Sequence, residues 1–195
     1  MTGPAPWRPT AQQLADAHGT TVPDVVRSRL KVLFCGINPG LYSGAVGHHF
    51  ARPGNRFWKT LHRAGFTRRQ LSPFEERELL QSGLGITNLV SRATAGAAEL
   101  SERELRAGAR RVGRIVRRFR PAVVAFLGVG AFRAAFGRPR ATVGPQPERI
   151  CGARVWVLPN PSGLNAHYQL PALAAEFGKL KQAVSSRAGS SARRR

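Results

Sequence analysis

Leu33-Phe34-Cys35-Gly36-Ile37-Asn38-Pro39-Gly40-Leu41 is the stretch that decides the fold. Its first half is an apolar run that stops abruptly at Gly-Ile-Asn-Pro-Gly. Such a run reads as a buried strand, and Asn-Pro-Gly reads as the turn that ends it. Late in the chain, Val157-Leu158-Pro159-Asn160-Pro161-Ser162-Gly163-Leu164 repeats the arrangement. In open α/β sheets, ligands bind beyond the carboxyl ends of strands. Both Asn-Pro turns therefore stand at positions where such sheets place their chemistry. Gly47-His48-His49-Phe50 follows the first turn within a few residues.

Working outward, strands are predicted over residues 31–35, 85–90, 122–127 and 155–158. Helices are predicted over 55–64, 74–81, 101–118, 131–136 and 170–183. The 101–118 helix opens with the capping box Ser101-Glu102-Arg103-Glu104 and is stopped by Pro121. Strands that are apolar throughout and alternate with helices predict a three-layer αβα sandwich around a mostly parallel sheet. Residues 1–30 read as a leader of short helices over 10–18 and 23–30. Residues 31–184 form the expected domain, and 185–195 read as a Ser/Arg-rich disordered tail. Residues 36–54 and 137–147 are predicted as loops rich in Gly and Pro.

The chain carries 31 Lys+Arg against 10 Asp+Glu, a formal net charge of +21. That excess points to a polyanion, most simply nucleic acid. Codon bias accounts for Arg in place of Lys, but not for so few acids. Arg103, Arg106, Arg110, Arg114 and Arg117 recur at three- and four-residue spacing on the 101–118 helix. They read either as a phosphate track or as a solvated face. No apolar run approaches the ~20 residues of a membrane helix, and no secretory pattern opens the chain. Cys35 and Cys151 are too few and too far apart for a zinc or iron–sulfur site, and read as buried free thiols.

The polar residues narrow the chemistry. Asp16 and Asp24 are the only aspartates, both ahead of the first strand, and no glutamate falls in either Asn-Pro motif. A carboxylate pair for glycoside chemistry is not visible. Nor is a Walker loop or a complete dinucleotide fingerprint. Asn38 is the leading polar group at a strand end. A neutral amide is no strong base, but its oxygen can hold a water in place. That suits departure of a good leaving group from a sugar carbon. The plainer reading of Asn38 is a turn residue. Phe50 is either a platform for a nucleobase or a core anchor of its loop. Leu164, at a tip of small residues, is either a wedge for a base stack or an apolar side chain folded onto the core. His48 and His49 read as hydrogen-bond donors or phosphate contacts.

Taken together, these segments resemble the mismatch-specific uracil/thymine-DNA glycosylase family of the uracil-DNA glycosylase superfamily. The resemblance rests on residues 34–41 and 47–50, on Pro53-Gly54-Asn55-Arg56-Phe57-Trp58-Lys59, on Gly85-Ile86-Thr87-Asn88-Leu89-Val90, and on residues 158–164. It implies that Asn38 positions the water that attacks the sugar C1′. Phe50 would stack on the flipped base, Ile37, Ser43 and His49 would line its pocket, and Asn88 would reach the base edge. Asn160, Ser162, Gly163, Leu164 and Asn165 would form the wedge and its DNA contacts. Asn38 and Asn160 stand where related uracil glycosylases use an Asp and a His, which implies a mild active site. Asn88 stands where some bacterial members carry Lys, and Ala166 where an Arg can support the wedge. His167 or a nearby Arg is the candidate substitute for it. The implied protein is monofunctional, uses no metal or other cofactor, acts as a monomer on double-stranded DNA, and resides in the cytoplasm on the nucleoid. The alternative is a protein that flips and recognises damaged bases without cleaving them.

Overall fold

β1 (Val32–Gly36) is buried along its whole length because its side chains serve two cores at once. Val32 and Phe34 face one core, while Leu33 and Cys35 face the other. The structure is a computed structural model. It describes residues 8–192, with side chains described through Ser186. β1 pairs in parallel with β2 (Leu84–Asn88) and with β3 (Val123–Leu127). β3 pairs in parallel with β5 (Ala153–Leu158), and β4 (Gly144–Ile150) closes the far edge antiparallel to β5. The sheet order is β2-β1-β3-β5-β4.

One face carries α3 (Phe57–Arg63) and α6 (Leu170–Ala192), through Phe57, Trp58, Leu61, Phe177 and Leu180. The other carries α4 (Glu102–Phe119) and α5 (Val129–Phe136), through Val112, Val116, Phe132 and Ala135. This is the expected three-layer arrangement. Phe34 sits at the centre of the first core, with ring centroids of Phe57, Phe66 and Phe177 at 5.6, 5.4 and 5.9 Å. Truncating so central a ring to Ala costs about 3–5 kcal/mol.

The leader departs from expectation. Thr10 caps a helix, α1 (Ala11–Asp16), but residues 23–30 form none. Val25 instead exchanges two 2.9 Å backbone hydrogen bonds with Ile86, and so covers the outer edge of β2. Tertiary pairing overrides the helical pattern there. The expected 36–54 loop contains a one-turn helix, α2 (Leu41–Val46), too short and too poor in helix formers to be legible. Residues 73–82 form a 3-10 segment (Pro73–Ser82) rather than a regular α-helix.

β4 arises in a stretch predicted to be loop. Pro145 and Pro147 are tolerated because the strand is an edge, and burial alternates along it. A two-residue turn, Cys151-Gly152, joins it to β5 with both residues at positive φ. That turn leaves Cys151 exposed, whereas Cys35 is buried as expected. α6 continues through Ala192, across most of the predicted disordered tail, in a Ser/Ala/Arg segment without proline. Arg193 to Arg195 lie outside the described residues. Among the described residues, no helix is long and apolar enough to cross a membrane.

Candidate active site

The carboxyl ends of β1, β2, β3 and β5 meet around a cleft of about 160 Å³. It gathers Ile37 and Asn38 from the end of β1, Ser43 from α2, and His49 and Phe50 from the following loop. Asn88 enters from β2, and Asn160, Ser162 and Leu164 from the segment after β5. No Asp, Glu or Lys lines it.

Asn38 is the most constrained of these groups. Its Nδ2 donates to Pro39 O at 3.1 Å, to Arg92 O at 3.2 Å and to Thr94 Oγ1 at 2.7 Å. Carbonyl oxygens only accept, so the amide cannot be turned the other way. Thr94 is itself buried and passes its hydroxyl hydrogen to Gly96 O at 2.9 Å. Asn38 Oδ1 has no hydrogen-bond donor among the described residues and is left as an acceptor in the cleft lining.

A similar chain of reasoning orients Asn88. His49 is buried, with Nε2 3.0 Å from Pro23 O, so Nε2 carries the hydrogen. Nδ1 is then bare and accepts from Asn88 Nδ2 at 3.3 Å. Burial lowers the His49 pKa from its ordinary value, against a smaller opposing pull from Glu76, and so favours this neutral ring. Asn88 Oδ1 lies over Gly36, where any Cβ would collide with it and would meet Phe50 Cζ at 3.2 Å. Glycine at 36 is what lets the amide and the ring converge on the cleft. Behind Asn88, Arg111 donates to Asn88 O at 2.8 Å and Thr87 Oγ1 at 3.0 Å, and pairs with Asp24 at 2.6 Å.

Phe50 anchors its loop and stands at the cleft. Its ring stacks on Phe57, centroids 4.1 Å apart, and it also lines the cleft. Its φ of 53° is left-handed, a costly conformation for a bulky residue. The loop is held by Glu76, which accepts from His49 N at 2.9 Å and meets His48 Nδ1 at 2.9 Å. Both histidines thus help to pack the loop. Ser43 is buried, and its Oγ accepts from Ala51 N at 3.1 Å.

The segment after β5 is a tight arch. Asn160 Oδ1 accepts from Ser162 N, Ser162 Oγ from Leu164 N, and Asn165 Oδ1 from His167 N. Asn165 Nδ2 returns to Asn160 O at 2.9 Å. The polar side chains of 160, 162 and 165 therefore build the arch, and Asn160 Nδ2 is left without a protein partner among the described residues. Leu164 stands at the tip and is 77% exposed, so it does not fold back onto the core. Gly163 and Asn165 lie outside the cleft lining, and Ala166 and His167 are exposed beside the tip.

Sequence reasoning missed three contributors. Thr94, with Ala95, Gly96 and Ala97, forms one wall of the cleft, and only its run of small residues after β2 hinted at it. Arg52 is exposed at the cleft with no protein partner among the described residues. Arg56 lies within a quoted segment but had no assigned part. The arginines of the α4 stripe are exposed, and Arg106 pairs with Glu102.

The comparisons agree with this architecture. A solved structure described as that of a "putative Uracil DNA glycosylase" from Methanosarcina acetivorans matches with a TM-score of 0.55 at 18% identity. The match covers 84% of this chain and 98% of that one, and at this identity it speaks for the fold. The model of the Uracil DNA glycosylase superfamily matches residues 23–184. The chain belongs to that superfamily.

Proposed function

We propose that this protein is a monofunctional DNA glycosylase that hydrolyses the N-glycosidic bond of uracil opposite guanine in double-stranded DNA. Thymine, ethenocytosine and other modified pyrimidines opposite guanine are the related substrates. Superfamily membership supports a DNA glycosylase role. The observation that carries the finer reading is the fixed amide of Asn38, whose only free hydrogen-bonding atom is an acceptor in the cleft lining.

In this reading the target nucleotide is extruded and its base enters between Phe50 and the cleft walls. Asn88 meets the base edge. Asn38 Oδ1 accepts a hydrogen bond from a water and aims its oxygen at C1′. The C1′–N bond breaks with its electron pair leaving on the base, the water oxygen bonds to C1′, and the water proton ends on the departed base or in solvent. In the same reading Asn160 Nδ2 donates toward the negative charge that develops on the base. With no carboxylate in the lining, catalysis relies on position and on a good leaving group, and turnover is modest. The absence of lysine there accords with base release without strand scission by a Schiff base.

The same lack of a strong base favours, as a second reading, a protein that flips damaged bases without cleaving them. A duplex oligonucleotide with one G·U pair separates the two. Stoichiometric wild-type protein is expected to release uracil and leave an abasic site, and the Asn38→Ala variant to bind without release. Lesion binding with no base release by wild type would establish the second reading.

A further inference from the structure

We infer that Arg56 is a positioning residue that pre-forms the DNA wedge by clamping the 161–169 arch from beneath. The inference deepens the proposed DNA-glycosylase reading and rests on it. Nη1 of Arg56 donates to Tyr168 O at 2.7 Å and to Gln169 Oε1 at 3.3 Å. Nη2 donates to Asn165 O at 2.8 Å and to Ser162 O. The backbone N–H of Arg56 donates to Pro161 O at 3.0 Å. One residue therefore satisfies carbonyls on both sides of Leu164 and at both feet of the arch.

Such a planar, multi-donor fork is something only arginine supplies, because lysine offers a single compact ammonium. The arch also rests directly on the chain before Arg56. A Cβ at Gly163 would stand 2.7 Å from Gly54 O, so the tip is pressed against residue 54. Leu164 projects from this braced base into solvent.

An exposed apolar tip on a floppy loop would have to be ordered each time it entered a base stack. Ordering costs roughly 1–2 kcal/mol of backbone entropy per residue. Bracing the arch in the free protein removes that cost from the binding step. Arg56 thus acts through Leu164, with no contact to the base.

Three measurements test this on the full chain. Hydrogen exchange of the amides of 163–167, read without DNA, is expected to quicken on the order of tenfold in Arg56→Met, while β-sheet amides keep their rates. The preference for a G·U over a G·C duplex is expected to fall by a similar factor, and Arg56→Lys to recover only part of it. Finally, a double-mutant cycle pairs Arg56→Met with Leu164→Ala. Once Leu164 is gone, losing Arg56 should cost no further lesion preference. Unchanged exchange in the arch, or fully additive losses in the cycle, would overturn the clamp. Absence of uracil release by wild type would instead count against the glycosylase reading, because the exchange measurement needs no substrate.

Discussion

Thr94 Oγ1 stands 2.7 Å from Asn38 Nδ2 and hands its own hydrogen to Gly96 O. The hydroxyl must therefore accept from Asn38, and with Arg92 O and Pro39 O it forces the amide hydrogens inward. The consequence concerns aspartate, the group that the family resemblance sets at this position in related uracil glycosylases. In Asn38→Asp a carboxyl oxygen would face two carbonyl oxygens in place of the amide hydrogens. The carboxyl should keep its proton well above its ordinary pKa of about 3.9. A raised folded pKa contributes stability below the unfolded value and loses it as pH rises through the folded one. Thermal melts should show the variant near wild-type stability at pH 4 and about 1–3 kcal/mol less stable at pH 7.5. A constant difference across that range would discredit the amide assignment.

Acid should act on the pocket through His49. Burial lowers its pKa below the ordinary 6.5. The unfolded chain therefore takes up a proton from about pH 6.5 downward while the folded chain resists it, and stability is lost as pH falls through that window. Glu76, Asp24 and His48 are the charged or titratable neighbours. Protonating Nδ1 also removes the acceptor for Asn88 Nδ2. We expect uracil release to show an acid limb that flattens in His49→Gln. An identical limb in both proteins would assign it elsewhere.

Leu164→Ala separates binding from folding. The side chain is 77% exposed, so thermal stability should shift by less than about 0.5 kcal/mol. Burying a Leu in a base stack is worth roughly 1.5–3 kcal/mol. Affinity for a G·U duplex should therefore fall about ten- to hundredfold in titrations at fixed salt. Equal lesion affinity in the two proteins would remove Leu164 from the wedge.

Arg111→Met tests the brace behind Asn88. The Arg111–Asp24 pair is about one quarter exposed on the Arg side and 20% on the Asp side. Its loss leaves Asp24 Oδ2, Thr87 Oγ1 and Asn88 O without the Arg111 donor, while Thr87 Oγ1 still donates to Asp24 Oδ1 at 2.7 Å. Breaking a fully buried pair costs about 3–5 kcal/mol. This partly exposed one should cost about 2 kcal/mol in denaturant unfolding, and uracil release should fall with it. Normal stability would show that the network is dispensable.

The sheet was legible because its signals are local. Four apolar runs ending in turn residues became four parallel strands, and both Asn-Pro ends met at one edge of the fold. Elements set by partners rather than by their own pattern were not legible. The 23–30 segment looked helical until β2 offered it an edge. The Pro-containing 144–150 segment is a strand only because β5 lies beside it.

The same division runs through the candidate site. Asn38, Phe50 and Leu164 stood out by residue type at a strand end and in exposed turns, which a chain displays along its length, whereas Asn88 entered only through the family resemblance. What each atom does was decided by residues far away in sequence. Asn38 is aimed by Arg92 and Thr94, 54 and 56 positions on. The Leu164 arch is braced by Arg56, more than 100 positions earlier. Hydrogen bonds across such separations leave no periodicity in the sequence. Only the closed fold brings donor and acceptor together, and with them the direction of the amide and the hydrogen bonds that hold the 161–169 arch.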